Sequence, residues 1–173
     1  MQDFFYGFVR NYHSFQISPE SNNTKWTNKI LGFYDQLGTL LGTTVEYEWK
    51  RYDLCWFWKD QKEPWLHVEH ENDGSWEALE DTLRKVNDST SEDIIVIVYP
   101  ATEELWDQFL KELNKSQKSW TKGTDILAIL DATIFQTKLV KLEGHVYSKT
   151  DGNFMMQAMK KVDEEGVYYA ILQ

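Results

Sequence analysis

Asp53 stands in R-Y-D-L-C-W-F-W, and Glu69 and Glu71 stand in W-L-H-V-E-H-E, two short runs of aromatic, aliphatic and β-branched residues. Acids in such runs are rarely buried unless they are paired or bind a metal. Alternate side chains of a strand share a face, so His67, Glu69 and Glu71 point one way and Leu66, Val68 and His70 the other. Glu46 and Glu48 share a face of a third strand-like run, T-T-V-E-Y-E-W. Carboxylates brought by three strands to one end of a sheet would suit Mg²⁺, which is usually held by one or two carboxylates beside water and phosphate. A cation so held polarises a phosphoryl oxygen and activates a bound water. His70 shares the apolar face and reads as core, whereas His67 shares the Glu69 face and is a candidate for proton transfer. The four histidines and the single Cys55 offer no zinc spacing.

The stretch E-H-E-N-D-G-S-W-E-A-L-E (69–80) also carries the ligand pattern of a calcium loop. Gly74 takes the sixth position, with acids or hydroxyls at Glu69, Glu71, Asp73, Ser75, Glu77 and Glu80. Such a loop needs an incoming helix, and Pro64 followed by W-L-H-V argues for a strand there. The favoured reading is that N-D-G-S turns the chain and caps a helix.

The elements that must position these acids follow from periodicity. Signals before residue 23 are weak. Trp26, Ile30, Phe33, Leu37, Leu40 and Leu41 recur at helical spacing until Gly42, which predicts a helix over roughly 24–41. Three short strands come next, the third broken from the second by D-Q-K-E-P. Trp76, Leu79, Leu83 and Val86 then make a helical stripe, and D-I-I-V-I-V-Y reads as a strand buried on both faces. Thr102 caps a further helix bearing Leu105, Phe109 and Leu113, and I-L-A-I-L (126–130) is another buried strand. The remainder reads as a meander with turns at E-G (143–144), D-G-N (151–153) and D-E-E-G (163–166). The strand–helix–strand unit over 65–99 predicts parallel strands with a right-handed crossover, and strands 1 to 3 should be antiparallel. The expected fold is α/β (α+β), a mixed central sheet flanked by helices in one domain over 1–173.

This order (helix, three strands, helix, strand), with an Asp opening the second strand and an acid-x-acid on the third, resembles the PD-(D/E)XK nuclease superfamily and its restriction-endonuclease-like fold. The resemblance covers a core of 24–100, with 101–173 as a C-terminal elaboration. It implies a hydrolase of phosphodiester bonds in nucleic acid, DNA rather than RNA, that uses Mg²⁺ or Mn²⁺. It also implies Asp53 and Glu69 as metal ligands and Glu46 or Glu48 as an accessory acid. The position usually held by lysine is Glu71 here, an E-x-E variant in which Glu71 would serve as base or as another ligand. A nuclease-like fold that binds or regulates without catalysis is the alternative that this departure raises. The oligomeric state stays open, a homodimer included.

Composition limits the remaining classes. Eight Trp, nine Tyr and nine Phe in 173 residues supply a substantial core, so disorder is excluded as the class. The single cysteine rules out an internal disulfide and suggests a reducing compartment. M-Q-D-F-F-Y-G-F-V-R lacks the pattern of a signal peptide, and no apolar run approaches the roughly 20 residues of a membrane span. A soluble cytoplasmic protein is expected. The net charge of −10 speaks against non-specific coating of nucleic acid. Residues 109–149 are the exception, with seven lysines against four acids.

Overall fold

The structure is a computed structural model that describes residues 1–15, 22–117, 124–132, 140–148, 150–162 and 168–173. The apolar run read as a doubly buried strand is β4 (Asp93–Val98), and everything else is arranged around it. It pairs in parallel with β3 (Leu66–Glu71) on one side and β5 (Asp125–Asp131) on the other. β1 (Thr44–Trp49) and β2 (Tyr52–Phe57) extend the sheet antiparallel beyond β3. β6 (Val140–Tyr147), β7 (Phe154–Val162) and β8 (Tyr168–Leu172) extend it antiparallel beyond β5. The eight strands lie in sequence order, β1 to β8. The mixed sheet, the antiparallel first three strands and the parallel β3–β4 unit are as expected from the sequence.

Helices cover both faces because the strand residues alternate. Leu54, Trp56, Leu66, Val68, Ile95, Ile97, Leu127 and Ile129 pack under α1 (Gln2–Phe15) and α2 (Asn23–Leu40). Ile94, Val96, Val98, Ile126, Ala128 and Leu130 pack under α3 (Trp76–Asp88) and α4 (Glu103–Ser116). Side-chain caps fix where three of the helices begin. Asn22 accepts from the Thr24 amide at 2.8 Å, Ser75 from Ala78 at 3.4 Å and Thr102 from Leu105 at 3.2 Å. Each such cap contributes about 1 kcal/mol.

Two expectations need correction. Residues 2–15 form a helix, where the sequence signals had seemed weak. Phe5, Phe8, Val9, Tyr12 and Phe15 are its buried stripe, and packing supplies what helix propensity lacks. E-G (143–144) is not a turn but lies inside β6. A Cβ on Gly144 would sit 2.5 Å from the Phe5 ring, so this glycine lets α1 lie close to the sheet. As the favoured reading has it, the 69–80 stretch is the end of β3, a turn and the start of α3, without the incoming helix that a calcium loop needs. Gly74 is required there because a Cβ would meet the Tyr99 carbonyl oxygen at 2.4 Å; its own carbonyl accepts the Ala101 amide at 3.1 Å. The D-G-N turn stands, with Gly152 at φ +77°. The expected turn at 163–166 lies outside the described residues.

Candidate functional site

Leu54 pairs with Val68, so the same antiparallel register sets Asp53 opposite Glu69 on the α3 face. Their backbones and side chains interlock. The Asp53 amide donates to Glu69 Oε1 at 3.2 Å, and the His70 amide donates to Asp53 Oδ2 at 2.7 Å. Glu69 is 1% exposed, and Asp53 is partly buried. Burial, and after it the charge of Glu69, pushes the Asp53 carboxyl up to about 6, despite the His70 amide and Lys85. Two carboxylates held this close are costly to ionise together unless a cation joins them.

A cation from the chain has joined one of them. Lys85 Nζ, one turn before the end of α3, donates to Glu69 Oε2 at 2.7 Å. Burial works against its charge, but the hydrogen bond to Glu69 and the charges of Glu69 and Asp53 outweigh it and raise its pKa. The sequence reading missed this lysine. Its signal is geometric: a crossover helix lies over β3, and Lys85 borders the apolar stripe of Leu79, Leu83 and Val86. A positive charge therefore reaches the acids from α3.

His67 is also in place, though fully buried. Its ring stacks on Tyr52 with centroids 4.1 Å apart, and Nε2 lies 3.5 Å from Glu69 Oε1. Burial lowers its pKa, so the neutral ring is favoured. Ser89, the C-cap of α3, holds the other side of the ring. Its Oγ accepts the Ser91 amide at 3.2 Å, is a hydrogen-bond partner of the Tyr52 phenol and lies 2.9 Å from His67 Nδ1. A buried ring in that position orients Glu69 rather than exchanging protons with bulk water.

The other candidates are set further out. Glu71 is partly buried, and its Oε1 accepts the Asp73 amide at 2.8 Å, so it leans toward the turn after β3. Burial raises its pKa; the Asp73 amide and Lys85 oppose that rise, while the charges of Asp73 and Glu69 add to it. Glu46 and Glu48 are both exposed on the edge strand β1. Glu46 lies opposite Cys55, whereas Glu48 sits at φ +52°, a conformation that turns the strand's end. Cys55 is buried, and burial with the nearby Glu69 charge pushes its thiol up to about 12, so it is inert. His70 packs on the opposite face, with Nε2 3.2 Å from the Tyr99 hydroxyl and Nδ1 3.2 Å from Thr27 Oγ1.

Among the described residues, no group of three or more His, Cys, Asp or Glu side chains forms a ready-made metal cage. Asp53 and Glu69 are carboxylates of the kind Mg²⁺ and Mn²⁺ take as ligands, and Glu69 already accepts from the Asp53 amide on Oε1 and from Lys85 on Oε2.

No protein-family model matches the chain, and no curated protein matches it. Among solved structures it is similar to the crystal structure of the central domain of yeast acetyl-CoA carboxylase, with 11% identity and a TM-score of 0.37. That match covers 83% of this chain and 26% of the other, and it carries no argument about the site. No helix among the described residues is long and apolar enough to cross a membrane.

Proposed function

We propose that this protein hydrolyses phosphodiester bonds in nucleic acid, DNA in preference to RNA, with a divalent cation held by Asp53 and Glu69. The observation that supports this most is the opposed Asp53–Glu69 pair on β2 and β3, with Lys85 seated on the same carboxylate. The order α2-β1-β2-β3-α3-β4, with β3 and β4 parallel, is the one that the PD-(D/E)XK resemblance implies. When bound, Mg²⁺ or Mn²⁺ would polarise the phosphoryl oxygen and lower the pKa of water. Asp53 and Glu69 supply the ligands, and the His67–Ser89 pair keeps Glu69 from rotating. Lys85 brings its charge toward the phosphate, where it favours the negative charge that develops in the transition state. Glu71, partly exposed and with its pKa raised, takes the proton from the attacking water.

The test is incubation with linear, supercoiled and single-stranded DNA and with RNA in Mn²⁺, the cation that tolerates looser geometry than Mg²⁺. Cleavage should disappear in Asp53→Ala and in Glu69→Ala. Equal cleavage by both variants would mean a contaminant or a different site. A second reading, a binding or regulatory module without catalysis, is favoured by one observation: Lys85 already neutralises Glu69. Metal bound without cleavage of any substrate would select it.

A further inference from the structure

The sheet has two edges, and they are built differently. At one end β1 carries Glu46 and Glu48, both exposed, and the chain bends where Glu48 and Lys50 adopt φ +52° and +58°. Charged side chains and a bent end keep a strand edge from pairing with another chain. At the other end lies β8, with no strand beyond it among the described residues. Residues 168–173 read Y-Y-A-I-L-Q and carry no charged side chain. Over 154–162, β7 beside it carries Lys160 and Lys161 and no acid, and Lys160 is buried against Asp131. The cover over this edge is one-sided. Ala170 and Leu172 pack on the core under α1, whereas Ile171 on the opposite face is 46% exposed, and Met155 on that same face is 50% exposed.

The ladder fixes which backbone groups of β8 face the open edge. Gln173 continues the β7–β8 register opposite Gln157 and donates its amide to the Gln157 carbonyl at 3.1 Å. Tyr169 and Ile171, at alternate positions from Gln173, therefore turn their N–H and C=O groups toward β7. Tyr168, Ala170 and Leu172 turn theirs outward. These outward groups meet no backbone partner beyond β8 among the described residues. Unpaired donors and acceptors thus alternate along the edge, with Ala170 at the middle.

We propose that β8 pairs with β8 of a second copy of this chain, antiparallel about a two-fold axis at Ala170, so that the two sheets become continuous. In this register Ala170 faces Ala170 of the second copy, and Tyr168 faces Leu172. These are the hydrogen-bonded positions, so every outward N–H finds an outward C=O. Tyr169 and Ile171 meet across the non-hydrogen-bonded positions on the exposed face, an aromatic and a β-branched side chain of the kind that stabilises adjacent strands. Met159, which pairs with Ile171 in β7, extends the apolar row in each copy. Two observations favour a second copy over an unrelated strand. The edge is self-complementary about a residue whose methyl group puts no bulk on the axis. Chains of net charge −10 also repel one another, least where the meeting strands carry no acid, a condition that β8 meets and β1 does not. One strand edge buries less than the roughly 800 Å² per partner of a standard interface, so the dimer dissociates with a constant on the order of 10 μM.

Sedimentation velocity of the full chain from about 1 to 200 μM tests this. The parent should pass from monomer to dimer across that range, and Ala170→Pro should stay monomeric. The proline removes only an outward N–H and leaves the β7–β8 ladder intact. Ile171→Lys, at an exposed position, should weaken the dimer about tenfold or more. Thr44→Lys, exposed on β1, should leave it within about twofold. Thermal melts of each variant check that the fold is kept. The register has its own test. Tyr169→Cys combined with Ile171→Cys should oxidise to a disulfide-linked dimer, because non-hydrogen-bonded partners lie about 4.5 Å apart at Cα and the native Cys55 is buried. Either cysteine alone should link far more slowly, since its image lies on the longer diagonal. A parent that stays monomeric at the highest concentration overturns the proposal. So does a dimer that survives in folded Ala170→Pro, is unchanged by Ile171→Lys or dissociates in Thr44→Lys. Single cysteines that link as fast as the pair overturn it as well. The nuclease reading stands or falls separately, on cleavage.

Discussion

Two acid–lysine pairs lie on opposite faces of the same sheet. On the α3 side Lys85 meets Glu69, and the lysine side chain stays 18% exposed beside the partly buried Asp53. On the α1 side Lys160 of β7 contacts Asp131 of β5, with both side chains fully buried. The Tyr12 hydroxyl donates to Asp131 at 2.5 Å and accepts from Lys160 at 2.8 Å, which ties α1 to the pair. Burial lowers the Lys160 pKa, although Asp131 opposes the shift, whereas Lys85 is raised. The same two functional groups therefore serve different ends. Where a second carboxylate and solvent adjoin the pair, charge would be left over for the ligand of the proposed function. Where a tyrosine and α1 close over it, the charges are consumed internally and hold the layers together.

The sharpest break in the comparison is catalytic. Glu69→Ala should reduce cleavage on the order of 10³-fold or more, since the metal position and the Lys85 anchor go together. Lys160→Met should leave the cleavage rate per folded molecule unchanged. Its effect is on stability: stranding buried Asp131 should cost about 3–5 kcal/mol, read as a lower denaturant midpoint. Lys160→Met with Asp131→Leu should recover much of that loss; a double variant as unstable as the single would show that the pair matters for more than charge balance.

Lys85→Met divides the two functions within one residue. It should slow turnover by about 10²-fold and, because Glu69 is left buried without its cation, lower stability by about 3–5 kcal/mol. Lost stability with turnover per folded molecule unchanged would make the open pair a structural clasp alone.

Asp53 gives a smaller effect with a definite pH sign. Its folded pKa, about 6, is raised above the ordinary 3.8. The protonated form therefore favours the fold, and this contribution is lost as pH rises through about 6. Asp53→Asn, which can still accept the His70 amide, should raise stability by about 1–3 kcal/mol at pH 8 and by nearly nothing below pH 4. Saturating Mn²⁺ should stabilise the parent at pH 8 and not the variant, as thermal melts would show. The smallest effect is expected from Ser89→Ala, which removes the hydrogen-bond partner of His67 Nδ1. It should lower kcat about tenfold with KM unchanged, and the ¹⁵N shift of His67 Nδ1 should move with the loss of that hydrogen bond.

The sequence made the sheet legible wherever one residue's neighbours decide its environment. The unbroken D-I-I-V-I-V run could only be doubly buried, and alternation along L-H-V-E-H-E placed Glu69 and His70 on opposite faces. The caps at Ser75 and Thr102 were equally local. Lys85 was not legible because its role depends on a contact 16 residues away, set by the packing of a crossover helix. Asp131 and Lys160 each break an apolar strand pattern, which is a local sign, but their pairing across 29 residues is not. Helix α1 was obscured by aromatic residues whose helical preference is modest and whose stripe acquires meaning only against the sheet. Gly144 was misread for the same reason, since its partner Phe5 lies at the far end of the sequence.

The sequential strand order has a consequence for how the chain acquires its shape. Each strand from β2 onward finds its neighbour already made, so the sheet can grow edgewise as the polypeptide is synthesised. Helix α1 is the exception, because it packs against β8 and is fastened by Tyr12 to Lys160. Helix α1, made before every strand of the sheet, is thus the last of these elements to find its seat. Until β7 and β8 are in place, the stripe of Phe5, Phe8, Val9, Tyr12 and Phe15 lacks part of its cover. That interval, rather than any step in building the sheet, is where the nascent protein is most exposed to aggregation and to chaperone capture.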